Sequence, residues 1–173
     1  MNMLCNEQFL EKSFFTLTQT QISTEVSSLD FRRLKFKYTM SSDANFSEQT
    51  WDKAEFEYRR FLDLKKMYPE VPLVPSKQVD EIWHAHILDT RAYREDCLAV
   101  FGKFIDHFPY FGIHGKDDYS NLQNAFNETI RLYEKHFGPY PNISPLESNA
   151  ARCQDHACHA PSSCACRVSG ACK

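Results

Sequence analysis

Residues 76–89 read SKQVDEIWHAHILD and give the clearest structural signal in the chain. Ser76 is a suitable helix N-cap, because its hydroxyl can accept a hydrogen bond from a backbone amide of the first turn. Apolar residues then cover most of the circumference of a helix predicted from Lys77 to about Leu88. A helix that is apolar nearly all round belongs in the interior of a fold. We therefore predict that this helix lies in the middle of a helical domain.

A longer helix is predicted before this segment, over residues 47–68, because apolar side chains recur there at steps of three, four and seven. Ser47 can cap it. Three prolines within residues 69–75 then predict an extended connector. Further upstream, apolar and polar side chains alternate over residues 34–40, which favours a short half-buried strand. A helix beginning at Asp30 fits this segment almost as well.

Two more helices are predicted downstream. The first covers residues 91–101, with Asp89 or Thr90 as its N-cap. The second covers about residues 119–137, and a Gly-Pro pair ends it. Residues 105–118 between them form an aromatic, turn-rich connection. The predicted fold class is therefore mainly α, a compact helical bundle with one aromatic irregular segment.

Composition divides the chain into three predicted parts. Residues 1–27 are rich in Ser, Thr and Gln and are expected to form a loosely ordered arm, and residues 28–142 form the helical domain. Residues 143–173 are a Cys/His-rich tail with few large apolar side chains. Such a composition cannot build a core, so this tail is predicted to be disordered in isolation.

The tail concentrates side chains that bind soft metal ions. Thiolates and imidazoles clustered this closely are typical ligands of Zn or Cu(I). Four of them around one ion can order a segment that otherwise cannot fold. A redox-labile thiol segment, a substrate for modification and an incidental cluster are the alternatives. The predicted metal ligands are Cys153, His156, Cys158, His159, Cys164, Cys166 and Cys172.

A second candidate site lies on the helix that contains residues 76–89. Asp80 and His84 share a face of an ideal helix, whereas His84 and His86 point about 200 degrees apart and cannot bind one ion together. His107, in the aromatic connection, can meet either histidine in space. One interpretation is a divalent-metal or acid–base site formed from Asp80, His84, His86 and His107. The other is a set of buried, hydrogen-bonded histidines that fix helix packing.

Charge and hydropathy restrict the classes of partner. The net charge of -3 and the pI of about 6.2 argue against nucleic-acid binding, which favours a basic surface. Basic pairs such as Lys65-Lys66 are interleaved with acidic and apolar residues and are interpreted as solvated faces. No apolar run approaches the roughly 20 residues of a membrane-spanning helix. With no secretory signal at the start, the cytosol is the expected compartment, where thiols stay reduced.

The Trp-His-x-His motif resembles the glycine-rich domain-containing protein-like family. The resemblance covers roughly residues 28–140, and it also includes the segments 58–62, 74–76 and 107–112. Plant members carry a glycine-rich region and are linked to RNA-related and developmental roles. This chain has five glycines and no RNA-binding motif, which argues against an RNA role. Its length and Cys-rich end resemble small bacterial members, whose function is mostly unknown.

Three functional hypotheses follow. The first is a cytosolic metal-binding protein that uses the tail and also the His/Asp cluster. The second is a metal-dependent enzyme, of hydrolase or oxygenase type, centred on that cluster. The third is a non-catalytic module whose aromatic surface binds a protein partner. No organic cofactor is predicted under any of them.

Overall fold

A computed structural model of the chain describes residues 21–42 and 44–141. These ranges contain helices and no strand, so the mainly α fold class is confirmed for the described residues. None of these helices combines the length and the apolar character needed to cross a lipid bilayer. The helices are α1 (Thr24–Ser27), α2 (Arg32–Met40), α3 (Glu48–Met67), α4 (Lys77–Leu88), α5 (Thr90–Phe101) and α6 (Lys116–Phe137).

Helices α3 and α4 form the centre of the core. Helix α3 packs against α1, α2, α4 and α6, and α4 lies between α3 and α5. Trp51, Tyr58 and Leu64 of α3 and Ile82 of α4 are fully buried. Removal of these large apolar surfaces from water is the main force that holds the helices together. The interior position predicted for α4 is confirmed, although α3 contacts more of the fold.

The predicted N-caps form in all three helices where a capping side chain was expected. The Ser47 hydroxyl accepts a hydrogen bond from the Thr50 amide at 3.1 Å, and Ser76 accepts one from the Val79 amide at 3.4 Å. Asp89, rather than Thr90, caps α5, with a carboxylate oxygen 3.4 Å from the Ala92 amide. Each cap fixes where its helix begins and therefore which side chains face the core.

The strand considered for residues 34–40 is wrong, because these residues lie in helix α2. Leu34 and Tyr38 are one helical turn apart and face the core, whereas Phe36 and Met40 are both 62% exposed. The apolar–polar alternation in the sequence arose because this helix has apolar side chains on its exposed face as well as on its buried face. The Asp30 carboxylate accepts a hydrogen bond from the Arg32 amide at 3.0 Å, so the alternative of a helix starting near Asp30 is the better description.

The end of the predicted N-terminal arm is fixed to the domain. Val26 in α1 is fully buried, and the buried Asp63 carboxylate accepts hydrogen bonds from the Ser23 amide and hydroxyl at 2.9 and 2.5 Å. The Arg59 guanidinium donates to the carbonyl oxygens of Val26 and Leu29 at 2.7 and 3.0 Å. Residues 21–27 thus pack with the helical domain, and residues 1–20 lie outside the described residues.

Helix α6 begins at Lys116, three residues before the predicted start. An Asp118 carboxylate oxygen accepts hydrogen bonds from the amides of Gly112 and His114 at 2.8 and 3.0 Å. This contact folds the end of the aromatic connection onto α6. The connection, residues 102–115 between α5 and α6, therefore has a defined path through the fold.

Gly112 is required for this path, and we expect Gly112→Ala to lower the free energy of unfolding by about 2–4 kcal/mol. Its φ of +85° is unfavourable for a residue with a Cβ, and that Cβ would lie 2.6 Å from a methyl carbon of buried Leu122. Gly102→Ala is the matched control, because Gly102 also has a positive φ but open space around the added carbon. Urea unfolding of both variants measures the difference, and equal losses would contradict the steric explanation.

Candidate metal centre

Helix α4 places Asp80 and His84 one turn apart on the same face. The Asp80 side chain is only 5% exposed and His84 is 23% exposed, and Nε2 of His84 lies 3.7 Å from Oδ2 of Asp80. The spacing of four residues predicted this shared face. A carboxylate buried to this degree is costly unless cations or hydrogen-bond donors surround it.

His107 completes the group from the connection between α5 and α6. Its Nε2 atom lies 3.0 Å from Nε2 of His84 and 3.0 Å from Oδ1 of Asp80. Asp80, His84 and His107 each offer one ligand atom to this cluster, and these atoms all lie within 4.8 Å of one another. Among the described residues, this is the group of His, Cys and carboxylate side chains that can hold one metal ion.

The indole of Trp83 supports His107. The two rings pack edge to face with their centres 4.8 Å apart. Nε1 of Trp83 donates a hydrogen bond to the Tyr93 hydroxyl at 3.0 Å, and that hydroxyl donates to the Ile105 carbonyl at 2.6 Å. Burial raises the pKa of Tyr93, which keeps the phenol protonated as a donor. The chain leading to His107 is thus tied to both α4 and α5.

The two close contacts of Nε2 of His107 compete for one position on that nitrogen. An imidazole nitrogen carries either one proton or one lone pair. Nε2 of His107 therefore cannot donate to Asp80 and accept from His84 at the same time. A cation at the point that all three atoms face would accept a lone pair from each.

The distances suit a small divalent ion. In a tetrahedral zinc site with bonds of about 2.0–2.1 Å, ligand atoms lie about 3.3 Å apart. The two Nε2 atoms are 3.0 Å apart, Oδ1 of Asp80 is 3.0 Å from His107 and Oδ2 of Asp80 is 3.7 Å from His84, so the separations lie on both sides of that value, with a different carboxylate oxygen facing each histidine. Two histidines and one carboxylate leave coordination positions for water or substrate, as in catalytic zinc sites and non-haem iron oxygenases. The ligand set does not determine which metal binds.

A cavity of about 240 Å³ borders two of the ligands, Asp80 and His107. Its walls are mostly apolar, and they include Trp83 and Lys65, whose Nζ atom lies 5.3 Å from the centre of the Trp83 ring. Asp106 is the other charged residue of the lining. A small molecule in this cavity would therefore lie beside two of the three candidate ligands.

His86 belongs to a different network on the other side of α4. Its ring is 2% exposed; Nδ1 lies 3.0 Å from the Tyr58 hydroxyl, and Nε2 lies 3.0 Å from Oδ2 of Asp96. Burial raises the pKa of Tyr58 well above its usual value, so the phenol donates to Nδ1 while Nε2–H donates to the carboxylate. The cluster therefore excludes His86, in agreement with the wide angle expected between His84 and His86, and this histidine has a packing role.

The other predicted ligands have different outcomes. Every tail position predicted to bind metal falls in residues 142–173, which lie outside the described residues. Two features of the site were not predicted from the sequence: the support that Trp83 gives to His107 and the position of Lys65 beside the cavity. The neighbouring Lys66 pairs with Glu25 at 2.9 Å, as a solvated basic residue would, but Lys65 borders the cavity. One signal separates the two lysines: Lys65 continues the alternating steps of three and four that link the apolar residues of α3 up to Phe61, and Lys66 does not.

Known proteins match this chain over the region that contains the cluster. A family model described as UCP032817-like matches residues 21–135, which include every residue of the cluster. Glycine-rich domain-containing protein 1 of Arabidopsis thaliana is 32% identical over 111 residues, which cover 62% of this chain and 13% of that protein. This chain thus corresponds to a small part of the plant relative. No solved structure matches the chain. The chain belongs to the UCP032817-like family, and its predicted membership among glycine-rich domain-containing protein-like chains is confirmed.

Proposed function

We propose that this protein is a metalloprotein in which Asp80, His84 and His107 bind one divalent transition-metal ion. The observation that supports this most strongly is the convergence of two imidazole nitrogens and a buried carboxylate within 4.8 Å. We further propose that the ion acts on a small molecule in the adjacent cavity, as in a metal-dependent enzyme of hydrolase or oxygenase type. The cavity bordered by Asp80 and His107 favours this function over simple metal storage.

A bound ion would supply Lewis acidity and, as zinc does, lower the pKa of a coordinated water. The side chains of this protein would do the rest. The Asp80 carboxylate offsets part of the charge of the ion, and helix α4 holds Asp80 and His84 at a fixed separation. Trp83 holds His107 in place and shields its ring from water on one side, which strengthens electrostatic interactions at the site.

The tail is a separate metal-binding proposal. Five cysteines and two histidines within twenty residues support capture of Zn or Cu(I), and reduced thiols fit the proposed cytosolic location. Soft thiolates would compete for the same ions as the cluster. Any measurement of the cluster must therefore begin from a chain in which the tail ligands are replaced.

The test uses the full chain with the tail cysteines changed to Ser and its two histidines changed to Ala. Anaerobic calorimetry with Zn²⁺ and Co²⁺ should give one equivalent of bound metal. We expect Asp80→Asn, His84→Ala and His107→Ala each to weaken binding by more than the roughly 10–100-fold effect of losing an outer-sphere partner. His114→Ala is the matched control, because His114 is exposed and outside the cluster.

Two results would decide against the proposal. If this chain takes up neither ion at micromolar concentration while remaining folded by circular dichroism, the cluster is a structural hydrogen-bond network. If His114→Ala weakens binding as much as His107→Ala, the ion binds elsewhere. Metal found only in the chain with its native tail would support the tail proposal and leave a non-catalytic interaction module as the function of the domain.

A further inference from the structure

Lys65 provides a cation at the wall of the cavity. Its Nζ atom lies over two aromatic rings, 5.3 Å from the centre of the Trp83 ring and 5.6 Å from the centre of the Phe61 ring. Both distances are within the range of a cation–π interaction. Burial lowers the pKa of this ammonium. None of the ion pairs between described residues involves Lys65, whereas the adjacent Lys66 has a carboxylate partner in Glu25.

The rest of the lining is suited to a small apolar group. Leu73, Val74, Phe111 and Leu122 contribute aliphatic and aromatic surface, and Phe108 lies at the exposed edge. At about 240 Å³, the cavity is smaller than the usual range for drug-sized ligands. These walls favour a compact ligand with an apolar body over an extended polar one.

The charge balance of the cavity depends on the metal. Without an ion, the two carboxylates of Asp80 and Asp106 outweigh the single ammonium of Lys65. A divalent ion reverses this balance and leaves the cavity with a net positive charge. An anion would then be attracted both by Lys65 and by an ion held by Asp80 and His107, in surroundings where apolar walls reduce screening.

We propose that the cavity binds a small organic anion with an apolar body, whose acidic group pairs with Lys65 while its other end faces Asp80 and His107. This inference rests on the proposed metal site and assigns the substrate class of that site. A carboxylate and a phosphate ester share the required chemistry. Lys65 selects the ligand by charge, and the metal is needed for tight binding.

The test titrates benzoate into the zinc-loaded full chain that lacks tail ligands, with binding followed by calorimetry. We expect Lys65→Met to weaken benzoate binding by about 10–100-fold, the usual effect of losing a charge-assisted hydrogen bond. Lys66→Met is the matched control and should leave binding unchanged. Lys65→Arg, which keeps the charge, should retain most of the affinity for benzoate. Benzamide, which has no charge, should bind more weakly than benzoate. Titration with phenyl phosphate in place of benzoate shows which acidic group is preferred.

The outcomes separate this inference from the metal proposal. Zinc binding by Lys65→Met at normal affinity, together with weak benzoate binding, supports both. Equal benzoate affinity in Lys65→Met and the parent chain, or benzamide binding as tightly as benzoate, overturns the inference and leaves the metal site intact. Failure of the parent chain to bind zinc overturns the metal proposal, and this inference fails with it.

Discussion

Replacement of His86 with Ala is expected to lower the free energy of unfolding by about 3–5 kcal/mol while the metal site keeps its affinity. The ring fills a fully buried space between Phe31 and Tyr93, with ring centres 4.9 and 5.0 Å away. Its loss leaves a cavity and removes the hydrogen-bond partner of the buried Tyr58 hydroxyl. A buried hydroxyl without a partner adds about 1–3 kcal/mol to the cost of the cavity.

Urea unfolding and zinc calorimetry on the same samples measure the two effects. His84→Ala should give the opposite pattern, with a large loss of zinc affinity and a small loss of stability, because its ring is 23% exposed. Tyr58→Phe should lower stability by about 1–3 kcal/mol, since it keeps the packing but leaves the buried Nδ1 of His86 without its donor. A His86→Ala protein that is fully stable but unable to bind zinc would show that His86 is a ligand after all.

Trp83→Ala is expected to reduce both stability and zinc affinity. We expect the free energy of unfolding to fall by about 3–5 kcal/mol and the zinc affinity to fall by about 10–100-fold. Trp83 is 4% exposed, packs against Phe61 with ring centres 5.5 Å apart, and supports the His107 ring. Without the indole, His107 loses the surface that fixes its orientation. The stability loss follows from the cavity, and the affinity loss follows from the freedom gained by a ligand.

Trp83→Phe separates these causes. It keeps an aromatic surface beside His107 but removes the N–H that donates to Tyr93. We expect about 1 kcal/mol of lost stability from the hydrogen bond and nearly normal zinc affinity. A Trp83→Ala protein with unchanged zinc affinity would mean that His107 is positioned by its own backbone, without the help of Trp83.

The helices could be predicted because their signals are local. Ser47, Ser76 and Asp89 each cap a helix as predicted, and the apolar spacing predicted the buried face of α3. Segment 34–40 shows the limit of this reasoning. Its apolar residues fit two periods equally well, and only the packing of Leu34 and Tyr38 against the core decides between them.

The site could be predicted only in part, for the same reason. Helical geometry alone pairs Asp80 with His84 and separates His86 from both. The position of His107 depends on the path of a connection that brings it back 23 residues along the chain to His84. Nothing in the local sequence encodes that return. Lys65, in contrast, is set apart from Lys66 by its place on the apolar stripe of α3, four residues after Phe61. The tail ligands remain a prediction, because they fall outside the described residues.

The mixed origin of the ligands bears on which ions the site would accept. Asp80 and His84 are held by consecutive turns of one helix, so their spacing cannot change without unwinding α4. His107 sits on a connection whose shape is set by a few contacts, those of Tyr93 with Ile105 and of Asp118 with Gly112 and His114. Because His107 is held by side-chain contacts and not by a helix, small shifts of the connection would let the three ligands close around ions of different radius. Occupancy in a cell would then follow the relative supply of competing metals more than the preference of the protein.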